Sequence, residues 1–169
     1  SPLAYGSAYP ELRIGAWLVE EKYDGVRIQA HVTAQRVSLF SRTLNDVAAA
    51  FPEITDALRA LATPCILDGE IVAQRDGRVL PFRYLQARLQ RKVVAADLLD
   101  AVPVRFIVFD VLARGDDALL DRALVDRRGQ LAEACADVRE PISIAPWTAL
   151  ETGSSRDSRP RRRVCRLRR

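Results

Sequence analysis

Hydrophobic and polar positions alternate with a period of two in two neighbouring segments, Val26-Arg27-Ile28-Gln29-Ala30-His31-Val32 and Arg36-Val37-Ser38-Leu39-Phe40. Such alternation predicts half-buried strands. An earlier run, Ala16-Trp17-Leu18-Val19-Glu20, is aromatic and β-branched and also reads as a strand. Asp24-Gly25 is a turn signal after it. The three segments are therefore expected to be antiparallel neighbours, with Lys22 at the mouth of the first turn. Phe51, Ile54, Leu58 and Leu61 then recur at helical spacing, and Asn45 or Asp46 can cap that region. Pro52 interrupts it near its start, which predicts a short turn and then a helix from about Pro52 to Ala62.

Cys65-Ile66-Leu67-Asp68-Gly69-Glu70-Ile71-Val72-Ala73 reads as another strand, turned back by Asp76-Gly77 toward Val79-Leu80. Pro81 opens a helix through Phe82, Leu85 and Leu89. Its basic end, Arg88, Arg91 and Lys92, is expected to be solvated or to lie near phosphates. Val104 to Leu112 is almost continuously apolar, as in a strand buried on both faces. Asp121 to Ala136 reads as an amphipathic helix carrying Leu124, Leu131 and Ala134, and Ile142-Ser143-Ile144 as a late strand.

Composition narrows the class. A chain of 169 residues has room for one domain with a core, and 49% apolar and 28% charged residues are those of a soluble globular protein. No apolar run approaches the roughly 18 residues of a membrane helix. The opening Ser1-Pro2-Leu3-Ala4 has neither a basic segment nor a signal-like apolar region, so a cytoplasmic protein with no membrane partner is expected. The first residue is not Met, and a piece of a longer protein is expected. Cys65, Cys135 and Cys165 are widely spaced and His31 stands alone, which fits reduced structural thiols and not a zinc site.

The net charge of +4 is unevenly spread. Residues 153–169 hold eight arginines and one aspartate, a balance of +7, and the other 152 residues sum to −3. That last segment has no apolar period and is expected to be disordered, either a nucleic-acid-binding arm or a non-native tail.

One residue type is out of character. The chain has 24 arginines and only two lysines, Lys22 and Lys92. Arginine keeps its proton, whereas a lysine amine can be tuned to lose it and attack an electrophile. An ordinary lysine is neutral about once in a few thousand molecules at pH 7. Neighbouring cations or a metal favour the neutral amine, and Arg27 and Arg42 are suitable cations on adjacent strands.

Lys22-Tyr23-Asp24-Gly25-Val26-Arg27 resembles the first signature of the covalent nucleotidyltransferases. Ser41-Arg42, Leu67-Asp68-Gly69-Glu70 and Phe106-Ile107-Val108-Phe109-Asp110-Val111-Leu112 match the following signatures in order. Glu20-Glu21-Lys22-Tyr23-Asp24-Gly25-Val26-Arg27, followed by Ile28-Gln29-Ala30-His31, is most similar to ATP-dependent DNA ligases of the archaeal and bacterial type. The resemblance implies an α+β fold of antiparallel sheets flanked by helices, the ATP-grasp-like nucleotidyltransferase fold, over residues 1–152.

It also implies roles. Lys22 would become adenylylated. Glu20, two residues earlier and so pointing the same way on a strand, would read the adenine. Arg27 would contact the ribose or phosphate, and Arg42 the ribose and the DNA 5′-phosphate. Glu70 would contact the ribose hydroxyls or a metal, and Phe109 would stack on adenine. ATP and Mg²⁺ are the implied cofactors. The implied partner is nicked double-stranded DNA, sealed by a monomer in replication, repair or recombination. Asp24 is read as a turn-former and Asp110 as a brace of the fold.

The match ends near residue 152. No later Glu-Gly strand is found, and two lysines leave no Lys-x-Lys to grip an α-phosphate. The fold is thus expected to be incomplete at its C-terminal end, and this chain alone to adenylate itself poorly or not at all. The alternatives are an RNA ligase, an mRNA-capping guanylyltransferase, or a non-catalytic remnant.

Overall fold

The computed structural model describes residues 17–89, 91, 93–150 and 165–168. Strand β1 spans Trp17–Glu21, β2 Val26–Val32, β3 Val37–Ser41, β4 Cys65–Arg75 and β5 Arg78–Val79. Strands β6 (Val104–Arg114), β7 (Asp117–Ala118), β8 (Ile142–Ile144), β9 (Trp147–Leu150) and β10 (Cys165–Arg168) follow. Helices are α1 (Pro52–Leu58), α2 (Arg83–Leu89), α3 (Ala96–Ala101) and α4 (Leu124–Ala134), and a 3-10 turn covers Ala48–Ala50. The chain divides into two compact units, Tyr23–Ile144 and a second made of Ser1–Lys22 and Ala145–Arg169.

In the larger unit the sheet runs β3-β2-β4-β6-β7, with β5 on β4 and β8 on β6. All pairs are antiparallel except β6–β8. The predicted alternation sets the faces. Ile28, Ala30 and Val32 of β2 join Leu67, Ile71 and Ala73 of β4 and Phe106, Val108 and Val111 of β6 in one apolar core. Phe51, Ile54 and Leu58 around α1, Leu85 of α2 and Leu131 of α4 close over it. β6 is buried across both faces from Phe106 to Val111, as its apolar run requires.

Pro52 supplies the pre-set φ of the first helical turn in α1. The helix ends at Leu58, earlier than the periodicity suggests, because Ala60 and Leu61 bond back to Ala57 and Leu58 in a tightened last turn. Asp46 accepts the Ala48 N–H at 2.9 Å, which starts the 3-10 turn. Asp76 and Gly77 both have positive φ, as a two-residue hairpin between β4 and β5 demands. Buried Cys65 and Cys135 are free thiols, pushed up to about 11 and about 12 by burial.

The basic end of α2 corrects the sequence reading. Arg88 is neither solvated nor near a phosphate site, but fully buried. Its guanidinium donates to both oxygens of Glu53, at 2.6 and 2.7 Å, and to the carbonyls of Ala50 and Val102. It also lies 5.2 Å from the centre of the Phe51 ring. A buried arginine is tolerable only when so many partners replace water. Arg91 is exposed, and Lys92 lies outside the described residues.

In the smaller unit, β1 pairs antiparallel with β9 and β10. The expected pairing of β1 with β2 is therefore corrected. Gly25 does not make a hairpin. A Cβ there would lie 2.2 Å from the Ile71 carbonyl oxygen, so glycine serves close packing of the chain on β4. The expected disorder of 153–169 is corrected for Cys165–Arg168, where alternating residues form β10. Residues 151–164 and 169 lie outside the described residues. No helix among the described residues is long and apolar enough to cross a membrane.

Candidate nucleotide site

The face of the large sheet opposite the core carries the polar residues that alternation leaves over. Arg27 on β2 is the cross-strand partner of Glu70 on β4, so their side chains share that face. Asp68 lies one diagonal step away. Arg27 Nε donates to Asp68 Oδ1 at 3.1 Å and Nη2 to Oδ2 at 2.6 Å. The Asp68 side chain is 3% exposed and that of Arg27 49%, so the pair presents a cation at the surface with its counter-charge beneath. The hydrogen bond to Asp68, ahead of the nearby Glu70 and Asp110 carboxylates, raises the Arg27 pKa above its usual value.

Phe109 reaches this face through a bulge. Asp68 is opposite Asp110 and Gly69 is opposite Val108, which leaves Phe109 as the extra residue on β6. Val108 and Val111 stay in the core, and the Arg27 guanidinium carbon sits 5.8 Å from the centre of the Phe109 ring. That distance is within cation–π range. Gly69 permits the arrangement, because a Cβ there would lie 2.5 Å from the Phe106 ring.

Glu70 is buried, and its Oε1 accepts the Gly25 N–H at 3.2 Å. The carboxylate thus ties Gly25, just before β2, to β4. Arg42 follows β3 directly and is exposed. It lines an open depression with Arg27, Gln29, Phe40, Ser41 and Leu44. The turn beyond it is closed by Leu44 N–H on the Ser41 carbonyl at 2.9 Å, with Leu44 at a φ of 62°.

Four of the six expected residues, Arg27, Arg42, Glu70 and Phe109, are therefore neighbours on one sheet face of the larger unit. Glu20 and Lys22 belong to the smaller unit. Glu20 is buried on β1, in register with Trp147 and Arg166. Lys22 is exposed. Because β1 stops at Glu21, strand alternation does not carry Lys22 onto the side of Glu20 as expected.

The sequence reading missed two partners. Asp68 sits inside the Leu-Asp-Gly-Glu segment but gave no sign that Arg27 was its partner. Asp110 does brace the fold, and its partner is Arg127 of α4, at 2.8 and 3.0 Å. Sequence separation hid both pairings, since neither is local to one element.

A family profile described as "ATP dependent DNA ligase domain" matches residues 5–157. A probable DNA ligase of Koribacter versatilis is 46% identical over 114 residues, 68% of this chain and 20% of that protein. A DNA ligase of Archaeoglobus fulgidus is 36% identical over 140 residues, 82% of this chain and 24% of that protein. Among solved structures, the ligase domain of M. tuberculosis LigD matches with a TM-score of 0.64 at 27% identity, covering 78% of this chain and 40% of that one. A mycobacterial DNA ligase D complexed with ATP and MES matches with a TM-score of 0.62 at 27% identity, with the same coverage of both chains. The chain thus spans about a fifth to a quarter of these curated relatives and two fifths of the solved ones.

Proposed function

The chain belongs to the ATP-dependent DNA ligase family, and on that premise we propose that residues 1–152 hold ATP for transfer of AMP to Lys22 and then to a DNA 5′-phosphate. The observation that carries the reading is the grouping of Arg27, Arg42, Glu70 and Phe109 on the sheet face opposite the core, the two arginines exposed and Glu70 and Phe109 buried beside them. An aromatic ring, two cations and a carboxylate are the chemical types that an adenine, phosphates and a ribose need. The solved relative complexed with ATP supports a nucleotide as the ligand.

In this reading the Lys22 amine attacks the α-phosphorus. A P–N bond forms as the P–O bond to pyrophosphate breaks, and the amine's proton leaves to solvent. Phosphoryl transfer depends mainly on positioning and charge neutralisation. Arg42, exposed just after β3, would contact a phosphate. Arg27, already balanced by Asp68, is better suited to a ribose or to the edge of a base stacked on Phe109. Glu20 would read the adenine. Gly25 and Glu70 hold the start of β2.

Magnesium fits this donor set in one way. Both Asp68 oxygens are bonded to Arg27, which leaves Glu70 as the expected protein ligand. Mg²⁺ is commonly held by one or two carboxylates together with substrate phosphates and waters. No group of three potential ligands occurs among the described residues, so phosphates would supply much of the coordination. When bound, the ion neutralises charge on the phosphate oxygens.

The wider setting belongs to the same proposal. The parent enzyme would act as a cytoplasmic monomer on nicked duplex DNA, in replication, repair or recombination. This chain carries no Lys-x-Lys pair for the α-phosphate, so poor self-labelling or none, and no nick sealing, are expected from it alone. Incubation with α-labelled ATP and Mg²⁺, run beside Lys22→Ala and beside labelled GTP, tests the reading. Label from ATP that vanishes in Lys22→Ala supports it. Label that survives the substitution, or a preference for GTP, overturns it.

A further inference from the structure

Asp68 and Asp110 are cross-strand partners on β4 and β6, and both are buried, at 2% and 1% exposure. Each carboxylate holds its own arginine through two hydrogen bonds, Arg27 on Asp68 and Arg127 on Asp110. Arg127 is fixed in turn, since its Nη1 donates to the Arg122 carbonyl at 2.5 Å. Asp110 Oδ1 also accepts the Val111 N–H at 3.0 Å, so the carboxylate is anchored at the bulge that carries Phe109. Nothing in the proposed chemistry uses Arg127.

We propose that Arg127 is a positioning residue: by clamping Asp110 it leaves Arg27 to Asp68 and keeps that guanidinium over Phe109. The argument is one of charge. Arg27 feels three carboxylates, Asp68, Glu70 and Asp110, and all three favour its charged form. A buried carboxylate without a cation attracts whichever cation can reach it, and little water screens the attraction. With Arg127 in place, Asp110 is already satisfied in a bidentate fork that lysine cannot reproduce. Without Arg127, the Arg27 guanidinium is drawn from Asp68 toward Asp110 and off the Phe109 ring. The consequence for nucleotide rests on the reading that Arg27 and Phe109 hold ATP. The clamp itself does not.

The test uses the 169-residue chain and reads arginine Nε–H resonances by ¹⁵N NMR, with that of Arg27 assigned by its loss in Arg27→Lys. Arg127→Gln is expected to displace the Arg27 resonance and to weaken ATP binding about tenfold. Adding Asp110→Asn to Arg127→Gln removes the stray carboxylate and is expected to restore both. An Arg27 resonance that stays in place in Arg127→Gln overturns the proposal, and so does a folded double variant that fails to restore it. If Arg127→Gln does not fold, Arg127→Lys decides: partial displacement is expected, and an unmoved resonance overturns the clamp. A wild-type chain that binds no ATP would instead count against the nucleotide reading, while the resonance still decides the role of Arg127.

Discussion

Arg27 and Asp68 meet across β2 and β4 in a two-point hydrogen bond whose acid is buried and whose base is half in water. The asymmetry has a consequence for stability. Removing Asp68 leaves a cation that solvent can reach. Removing Arg27 leaves a buried carboxylate without its cation, and an unsatisfied buried charged group costs about 1–3 kcal/mol or more. Arg27→Ala is therefore expected to lower unfolding stability by roughly 2 kcal/mol more than Asp68→Asn does. Urea denaturation of the two variants checks this, and equal losses would contradict it.

Gly25 and Gly77 should respond differently to alanine. A Cβ on Gly25 would collide with the Ile71 carbonyl and with the Val72 side chain, both of β4. It would also pull the Gly25 N–H from Glu70. Gly77 has open space around it but a φ of 74°. Gly77→Ala should cost about 1 kcal/mol from backbone strain, and Gly25→Ala clearly more, with loss of ATP binding. Thermal unfolding and nucleotide titration of both variants measure the difference.

Much of the fold was legible because alternation and turn chemistry agree. β2 and β3 lie where period two puts them, β4 ends at the Asp76-Gly77 turn, and β6 follows its apolar run. The resemblance also pointed to Arg27, Arg42, Glu70 and Phe109, and the larger unit brings them together. What failed was non-local. Asp24-Gly25 looks like a hairpin turn, but the glycine answers to β4, 45 residues further along the chain at Glu70. Arg88 has the sequence of a solvated helix end, and only the distant Glu53, Ala50 and Val102 explain its burial. The bulge that frees Phe109 from core alternation leaves no mark in the one-dimensional pattern, and a separation of 17 positions between Asp110 and Arg127 hides their pairing.

Arg88 is expected to be a stability residue with no part in nucleotide binding. It joins α2 to Glu53 of α1 and to the carbonyl of Val102, which follows α3. Arg88→Met should cost about 3–5 kcal/mol, because it strands Glu53 and two buried carbonyls. Denaturant unfolding reads the cost, and a loss below about 1 kcal/mol would show that the network is dispensable.

His31 is the chain's single histidine, and burial lowers its pKa below the usual 6.5. Its ring lies edge-on to Phe40, with centroids 4.9 Å apart. The folded state therefore binds its proton less readily than the unfolded state. Stability from this group is complete above about pH 6.5 and declines as pH falls toward the folded pKa. One ¹H NMR titration follows the lone imidazole. A midpoint below 6.5 is expected, and His31→Gln should flatten the acid side of the stability curve.

The most direct measurement maps where AMP becomes attached. With only Lys22 and Lys92 in the chain, peptide mass spectrometry after long incubation with saturating ATP and Mg²⁺ gives an unambiguous answer. Any AMP acquired should sit on the peptide containing Lys22 and be absent from Lys22→Ala. An adduct on Lys92, or one that persists in Lys22→Ala, would contradict the account.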